Sequence, residues 1–572
     1  MRSSAPWRPR RAANPRRPSR SRRMSSETTT AEPRTRAHLS DADFDLICAG
    51  PVDARVMGVL HRAQYGRRRL ALRTLLEVAR RTGAHDAELA WEVLAEAERR
   101  DPASVEDVLM APAVGTWLAR ALRRGVARVG VLHAVAAAAA MRAGMAGRLV
   151  VPVSHDVVTV PTIGQYAAPG EAPTAELGFG GPGEPVRVDG VAVGLRPFRR
   201  HRSEAGGLVL DVTVDDVDPH RGFVEPASPD PLDPAEHGRW CDLLDEAWAL
   251  LVERHTGYAV ELSAGLTSLV PLPAGSGVVG ASSASAFGAV ALSAVGSAAE
   301  FAETLVHEIQ HSKLNAVLDL VRLHDEDGAK CHYAPWRDDP RPLTGVLHGL
   351  YAFTGVVEFW QAQSPGSFAA ALRARQLRLA LAEVGTRRLT GEGRRFVAAV
   401  ARRLAALEPD PAASPHAGVV DRITADHRAA WRVRHVRPHP ADVAALADDW
   451  LAGRARSTRP RAEVVATGER VSTDRAALLR ARALTPERFA ATPRTGPDAA
   501  YARDDLVTAG AGYLDRLRAD PEDGAAWVGL GLAGGAPALL DEPHVARAVH
   551  REVRRRGAPA PDPLPLARWL AG

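Results

Sequence analysis

Apolar residues recur at helical spacing from residue 38 to residue 147, as in Leu70, Leu72, Leu75, Leu76 and Val78, then Leu89, Trp91, Val93 and Leu94. This rhythm predicts a helical N-terminal domain over 38–147. Its most apolar stretch, Val131 to Met141, is closed by Arg142 and is too short to span a bilayer, so a buried helix is expected there. After Gly147 the pattern changes. LVVPVSHDVVTVPTIGQY, PVRVDGVAVGL and GLVLDVTVDDVD are β-branched runs separated by Gly- and Pro-rich turns, and they are expected to pair into a sheet. The glycine-rich GFGGPGEP, Gly178 to Pro185, is not followed by a helical pattern, so a phosphate-binding loop is not expected.

A helix is predicted over Asp242 to His255. Two short strands of small residues follow, near Val278–Ser283 and Phe287–Ser293, and lead into a long helix. Ser297 with Glu300 three residues later forms a capping box at its start. Inside this helix lies HEIQH. His307 and His311 are one turn apart, so both imidazoles leave the same face and can bind one ion, with Glu308 beside them. Glu303, Thr304, Leu314, Asn315 and Leu318 are their neighbours, a set without the Lys and Arg of a solvated surface; a cleft wall is expected. The bland reading is a pair of buried, hydrogen-bonded histidines.

Two histidines leave a site incomplete, and His324, His332, His348 and Glu358 are the candidates for a third ligand. HExxHxxGxxH is excluded, because Leu314 and Val317 occupy its Gly and His positions. His324 and His332 fall in charged or turn-like stretches. His348 and Glu358 interrupt the apolar LTGVLHGLYAFTGVVEFWQA, where a polar group needs a partner. His348 is preferred, since Gly349 and Ala352 beside it would allow close approach to the metal helix.

The chain continues helically over 362–407 and 420–453, with linkers at Glu408–Ala417 and Ser457–Arg461. Trp527, Leu530 and Gly531 make one W-x-x-L-G unit of tetratricopeptide kind, a single unit more consistent with packing than with a repeat array. The expected fold is α+β and mainly α-helical. Its parts are a basic, disordered tail (1–37), the N-terminal helical domain (38–147), a β-rich segment beside a zincin-like HExxH helix (148–407) and a helical C-terminal region (408–572).

Composition adds constraints. A chain of 572 residues, 46% hydrophobic and 25% charged, can bury a sizeable core. Cys48, Cys241 and Cys331 form no CxxC pair, which points away from a disulfide framework or a cysteine-rich zinc site and toward a reducing cytoplasm. The net charge of +5 suggests nucleic acid until its location is considered: residues 1–23 hold nine arginines and no acid, so the remainder is acidic. That tail lacks an apolar h-region and is not a secretory signal; Met24 is a plausible start. Neither a nucleic-acid nor a membrane partner is expected.

HEIQHSKLNAVLDLV, YAPWRDDPRPLTGVLHGLYAFTGVVEFW and AWEVLAEAERRDPASVEDVLMAPAVGTWL together resemble the HExxH-motif proteins found beside ribosomally made, modified peptides in actinobacteria. The likeness runs from about residue 38 to beyond 450. It implies a 2-oxoglutarate-dependent peptide β-hydroxylase using non-haem iron(II), with His307, His311 and His348 as metal ligands and a precursor peptide encoded nearby as substrate. Such an iron keeps positions open for 2-oxoglutarate and dioxygen. An arginine fork should hold the distal carboxylate, and Arg337 and Arg341 are the candidates unless Asp338 and Asp339 neutralise them. Two alternatives stand beside this reading. One is a zinc metallopeptidase with Glu308 as general base; the other is a helical scaffold with a structural metal.

Overall fold

The computed structural model describes residues 38–572 except 84–85, 125–129, 182, 274–277, 326–327, 408–413, 469–472, 492–493 and 535. The predicted tail (1–37) and most of the Glu408–Ala417 linker therefore lie outside the described residues. The fold is α+β and mainly helical, as the sequence predicts. It divides into two compact units, residues 1–47 with 51–321 and residues 48–50 with 322–572. That division falls inside the predicted 148–407 segment.

In the first unit α1 (Asp41–Ala49), α2 (Ala54–Thr82), α3 (Asp86–Arg100), α4 (Pro102–Met110), α5 (Pro112–Arg124) and α6 (Gly130–Arg142) precede the first strand. Seven strands follow: β1 (Gly147–Ser154), β2 (Val157–Val160), β3 (Gly164–Ala167), β4 (Thr174–Phe179), β5 (Arg187–Val188), β6 (Val191–Ala192) and β7 (Leu195–Pro197). They form one antiparallel sheet in the order β6-β5-β4-β1-β2-β3-β7. The β1 and β4 residues Leu149, Val151 and Leu177 share a core with Leu72, Leu76 and Ala137 of the helices. The helices of 38–147 thus bury their apolar faces against this sheet rather than closing a core alone. GFGGPGEP leads from β4 to the short β5 and not to a helix.

A second sheet positions the HExxH helix. It comprises β8 (Arg199–Ala205), β9 (Leu208–Val214), β10 (Ser268–Pro271), β11 (Gly280–Ala281) and β12 (Ala289–Leu292), in the order β11-β12-β10-β9-β8. The middle strands β9, β10 and β12 are parallel, and β8 and β11 are antiparallel edges. Every residue of β12 is buried, as expected of an apolar strand covered on both faces. The two strands predicted before the HExxH helix are present but shorter than their small-residue runs. Three helices accompany this sheet: α7 (Pro234–Arg254), α8 (Thr256–Gly265) and α9 (Ala298–Leu318). α9 carries HEIQH and begins where the capping box places it. Ser297 Oγ accepts the Glu300 N–H at 3.3 Å, while the Glu300 carboxylate accepts the Gly296 N–H at 3.1 Å.

The back of α9 is tied to α8 through a buried ion pair. Lys313 Nζ lies 2.8 Å from Glu261 Oε1, and both side chains are fully buried. Gln310 Nε2 donates to the same carboxylate at 3.1 Å, and the Val52 N–H donates at 3.2 Å. Lys313 projects from the side of the helix away from His307 and His311, and Gln310 from the flank between. On another flank of α9, Phe301 meets Trp240 of α7 edge to face at 5.7 Å.

The second unit contains α10 (Leu343–Gln363), α11 (Phe368–Glu383), α12 (Gly391–Ala406), α13 (Ala417–His435) and α14 (Pro440–Leu451), with β13 (Val436–Pro438) paired to β14 (Ala462–Val464) and further helices between Arg475 and Ala571. Trp527 and Leu530 sit in its core with Tyr513, Leu539 and Val549. A side chain at Gly531 would meet Leu539, so the W-x-x-L-G unit serves packing. Among the described residues no helix is long and apolar enough to cross a membrane.

Removing the Glu261 carboxylate strands the buried Lys313 charge. Glu261→Gln should cost about 3–5 kcal/mol of stability in urea unfolding, and Glu261→Leu combined with Lys313→Met should recover much of it. A double variant no more stable than the single one would contradict the assigned role of this pair.

Candidate metal centre

Helical geometry brings the two motif histidines together. His307 Nε2 and His311 Nε2 are 3.0 Å apart, with ring centroids 4.6 Å apart and ring planes at 87°. An ion bonded to both at about 2.1 Å would span that gap with an angle near 90° between its two bonds. The same separation also serves a hydrogen bond in which one Nε2–H donates to the other nitrogen; a metal replaces that proton. The donor chemistry and the spacing therefore fit a divalent cation, with His307 and His311 as the residues to hold it.

Glu308 lies one step around the helix, with its Oε1 4.0 Å from His307 Nε2. Its side chain is buried. Burial pushes its pKa up to about 7, opposed by a hydrogen bond from the Ser282 hydroxyl. The strand above it explains the burial. A Cβ on Gly280 would come within 2.7 Å of Thr304 Cγ2 and 2.9 Å of Glu308 Oε1, so the β11 backbone lies directly on this carboxylate. Gly280 and Ser282 were not singled out in the sequence. Their signal was the run of small residues in SGVVGASSAS, which reads as a strand but whose close approach needs the tertiary fold.

The other sequence candidates belong to the second unit. His348 is half-buried on α10, and burial lowers its pKa to about 4, which keeps the imidazole neutral. Gly349 has a different role from the one predicted: a Cβ there would strike the Trp336 indole at 2.2 Å, so its smallness admits that ring. Glu358 has found the partner its apolar setting demands, because Arg403 Nε and Nη2 each donate to its carboxylate at 2.9 Å. His324 Nε2 lies 2.6 Å from Thr344 Oγ1. His332 and Arg341 exchange backbone hydrogen bonds of 2.9 Å, closing the YAPWRDDPR loop. Within that loop Asp339 accepts from Arg337 at 3.1 Å and from Arg341 at 3.2 Å. Of the two roles open to these arginines, the ion pair is the one observed. Among the described residues no group of three or more His, Cys, Asp or Glu is gathered as a metal cage.

Glu308 provides a stability test. Its folded pKa of about 7 exceeds the ordinary 4.5, so the folded chain retains a proton that the unfolded chain releases between those values. Its contribution is fully present below the unfolded pKa and is lost as pH rises through the folded one, a fall of about 3 kcal/mol. Chelator-treated wild type should therefore lose that much stability relative to Glu308→Gln between pH 5 and pH 8 in urea titrations. Parallel pH dependences would show that Glu308 is not held protonated. No protein-family model matches the chain, and no curated protein matches it.

Proposed function

We propose that the protein is a metal-dependent peptide-modifying enzyme, an iron(II)- and 2-oxoglutarate-dependent β-hydroxylase acting on a ribosomally made precursor peptide in the cytoplasm. The observation that carries the metal is the 3.0 Å convergence of His307 Nε2 and His311 Nε2. The reaction is supported by the likeness of HEIQHSKLNAVLDLV and of the YAPWRDDPRP segment to peptide-modifying HExxH proteins. On sequence grounds the third ligand is His348, and its neutral imidazole suits that role. Bound iron(II) would supply the oxidising chemistry, with 2-oxoglutarate and dioxygen as co-substrates.

The chain's own residues bind, orient and shield. His307 and His311 would hold the metal through their Nε2 atoms. Arg337 and Arg341 are assigned to the distal carboxylate of 2-oxoglutarate, which would take the place now held by Asp339. β11 is an edge strand, so its outer backbone groups can pair with an extended peptide. Glu308, buried beneath that edge, can hold or release a proton near neutral pH.

That last property also favours the second reading, a zinc peptidase in which Glu308 activates water. Glu358 is a poor ligand for it, being committed to Arg403.

The two readings separate on one peptide substrate. With iron(II), oxygen and 2-oxoglutarate, mass spectrometry should find one added oxygen at a β-carbon and an intact backbone. Fragments appearing with zinc and without 2-oxoglutarate would instead establish the peptidase. His348→Ala should lower iron retention more than Glu358→Gln, His324→Ala or His332→Ala; loss confined to the Glu358 variant would reassign the third ligand.

A further inference from the structure

The YAPWRDDPRP loop carries two adjacent acids beside its two arginines, and only one acid is spent on them. Asp339 accepts from Arg337 Nε and from Arg341 Nη1. Asp338 turns instead to α13, where its Oδ1 lies 3.5 Å from His427 Nε2. Among the described residues no second carboxylate pairs with Arg337 or Arg341. Two guanidinium charges therefore share one carboxylate.

Asp338 could compete for Arg337, the residue before it, because its side chain is 79% exposed and free to turn in solvent. Its carboxyl is held below the usual range by His427 first, and then by Arg434 and Arg337, against an opposing push from burial. An exposed His–Asp contact contributes little by itself. Here both of its ends are anchored. The hydroxyl of the buried Tyr333 lies 2.9 Å from His427 Nδ1, and the Tyr333 ring packs on Trp431 at 5.2 Å. A hydroxyl donating to Nδ1 leaves the imidazole proton on Nε2, directed at Asp338. At the other end, the Asp338 backbone oxygen lies 2.8 Å from His435 Nε2 and accepts from Arg434 Nη1 at 3.4 Å. His427, Trp431, Arg434 and His435 recur at helical spacing, so one face of α13 grips the loop.

We propose that His427 is a positioning residue: it holds Asp338 away from Arg337 and Arg341, which leaves the co-substrate one internal carboxylate to displace rather than two. This inference rests on the reading in which these arginines take the distal carboxylate of 2-oxoglutarate. His427 itself touches no reacting group.

Two measurements on the full-length, anaerobic, iron(II)-loaded protein test it. One is isothermal titration with 2-oxoglutarate; the other is the rate of Arg337 modification by phenylglyoxal, mapped by mass spectrometry without co-substrate. His427→Asn keeps an acceptor where Nδ1 receives the Tyr333 hydroxyl but is too short to reach Asp338. It should weaken 2-oxoglutarate binding about threefold and slow Arg337 modification to a similar extent, as Asp338 turns onto Arg337. Adding Asp338→Asn should restore both, a rescue that a merely structural role of His427 would not give. Unchanged Arg337 modification in His427→Asn, or a double variant no better than the single one, would overturn the proposal. If His427→Asn fails to fold, Asp338→Asn alone decides: Arg337 modification within about twofold of wild type supports a carboxylate already held away, and a much faster rate refutes it. Modification rates that follow these expectations in a chain that binds no 2-oxoglutarate would support the positioning of Asp338 and refute the co-substrate reading.

Discussion

The buried carboxylate of Glu261 fixes which way the HExxH helix faces. It takes Lys313, Gln310 and the Val52 N–H together, and so locks the rotation of α9 about its axis. A helix turned by one residue would swing each side chain by about 100°, carrying His307 and His311 together to a different direction and lifting Glu308 from beneath β11. An uncompensated charge at either end of the Lys313–Glu261 pair is costly in a low-dielectric interior, so the two residues require each other. The chemistry on the front of the helix depends on this restraint behind it.

The front combines two different demands. Imidazole nitrogens 3.0 Å apart invite an ion, while a carboxyl pressed under the Gly280 backbone resists ionisation. Both properties come from the same packing. Gly280 permits the strand to lie close enough to exclude water from Glu308, and the Ser282 hydroxyl returns one hydrogen bond to it. A cation on the histidines would pull the Glu308 pKa down again, so metal occupancy and the protonation of this residue are linked.

Local pattern was readable in the sequence, and long-range partnership was not. The helical spacing, the Ser297 cap and the switch to β-branched runs at Gly147 each follow from neighbours within a few residues, and all three are present in the fold. The predicted N-terminal helical domain illustrates the limit: its apolar faces are completed by Leu149, Val151 and Leu177, residues the periodicity assigned to another segment. Gly349 was read as giving room for the HExxH helix, whereas the group it admits is Trp336, thirteen positions earlier. Glu358 was correctly read as needing a partner, and Arg403 lies forty-five positions away on another helix. Glu261 was missed altogether, since one acid in an otherwise apolar helix carries no sign of a lysine fifty-two residues later.

The central claim is that His307 and His311 hold a catalytic metal, and metal content tests it most directly. After anaerobic reconstitution with iron(II) and removal of excess, the wild-type chain should retain one equivalent. His307→Ala and His311→Ala should each lose it while keeping the wild-type far-ultraviolet circular dichroism. Full iron content in both folded variants would contradict the account.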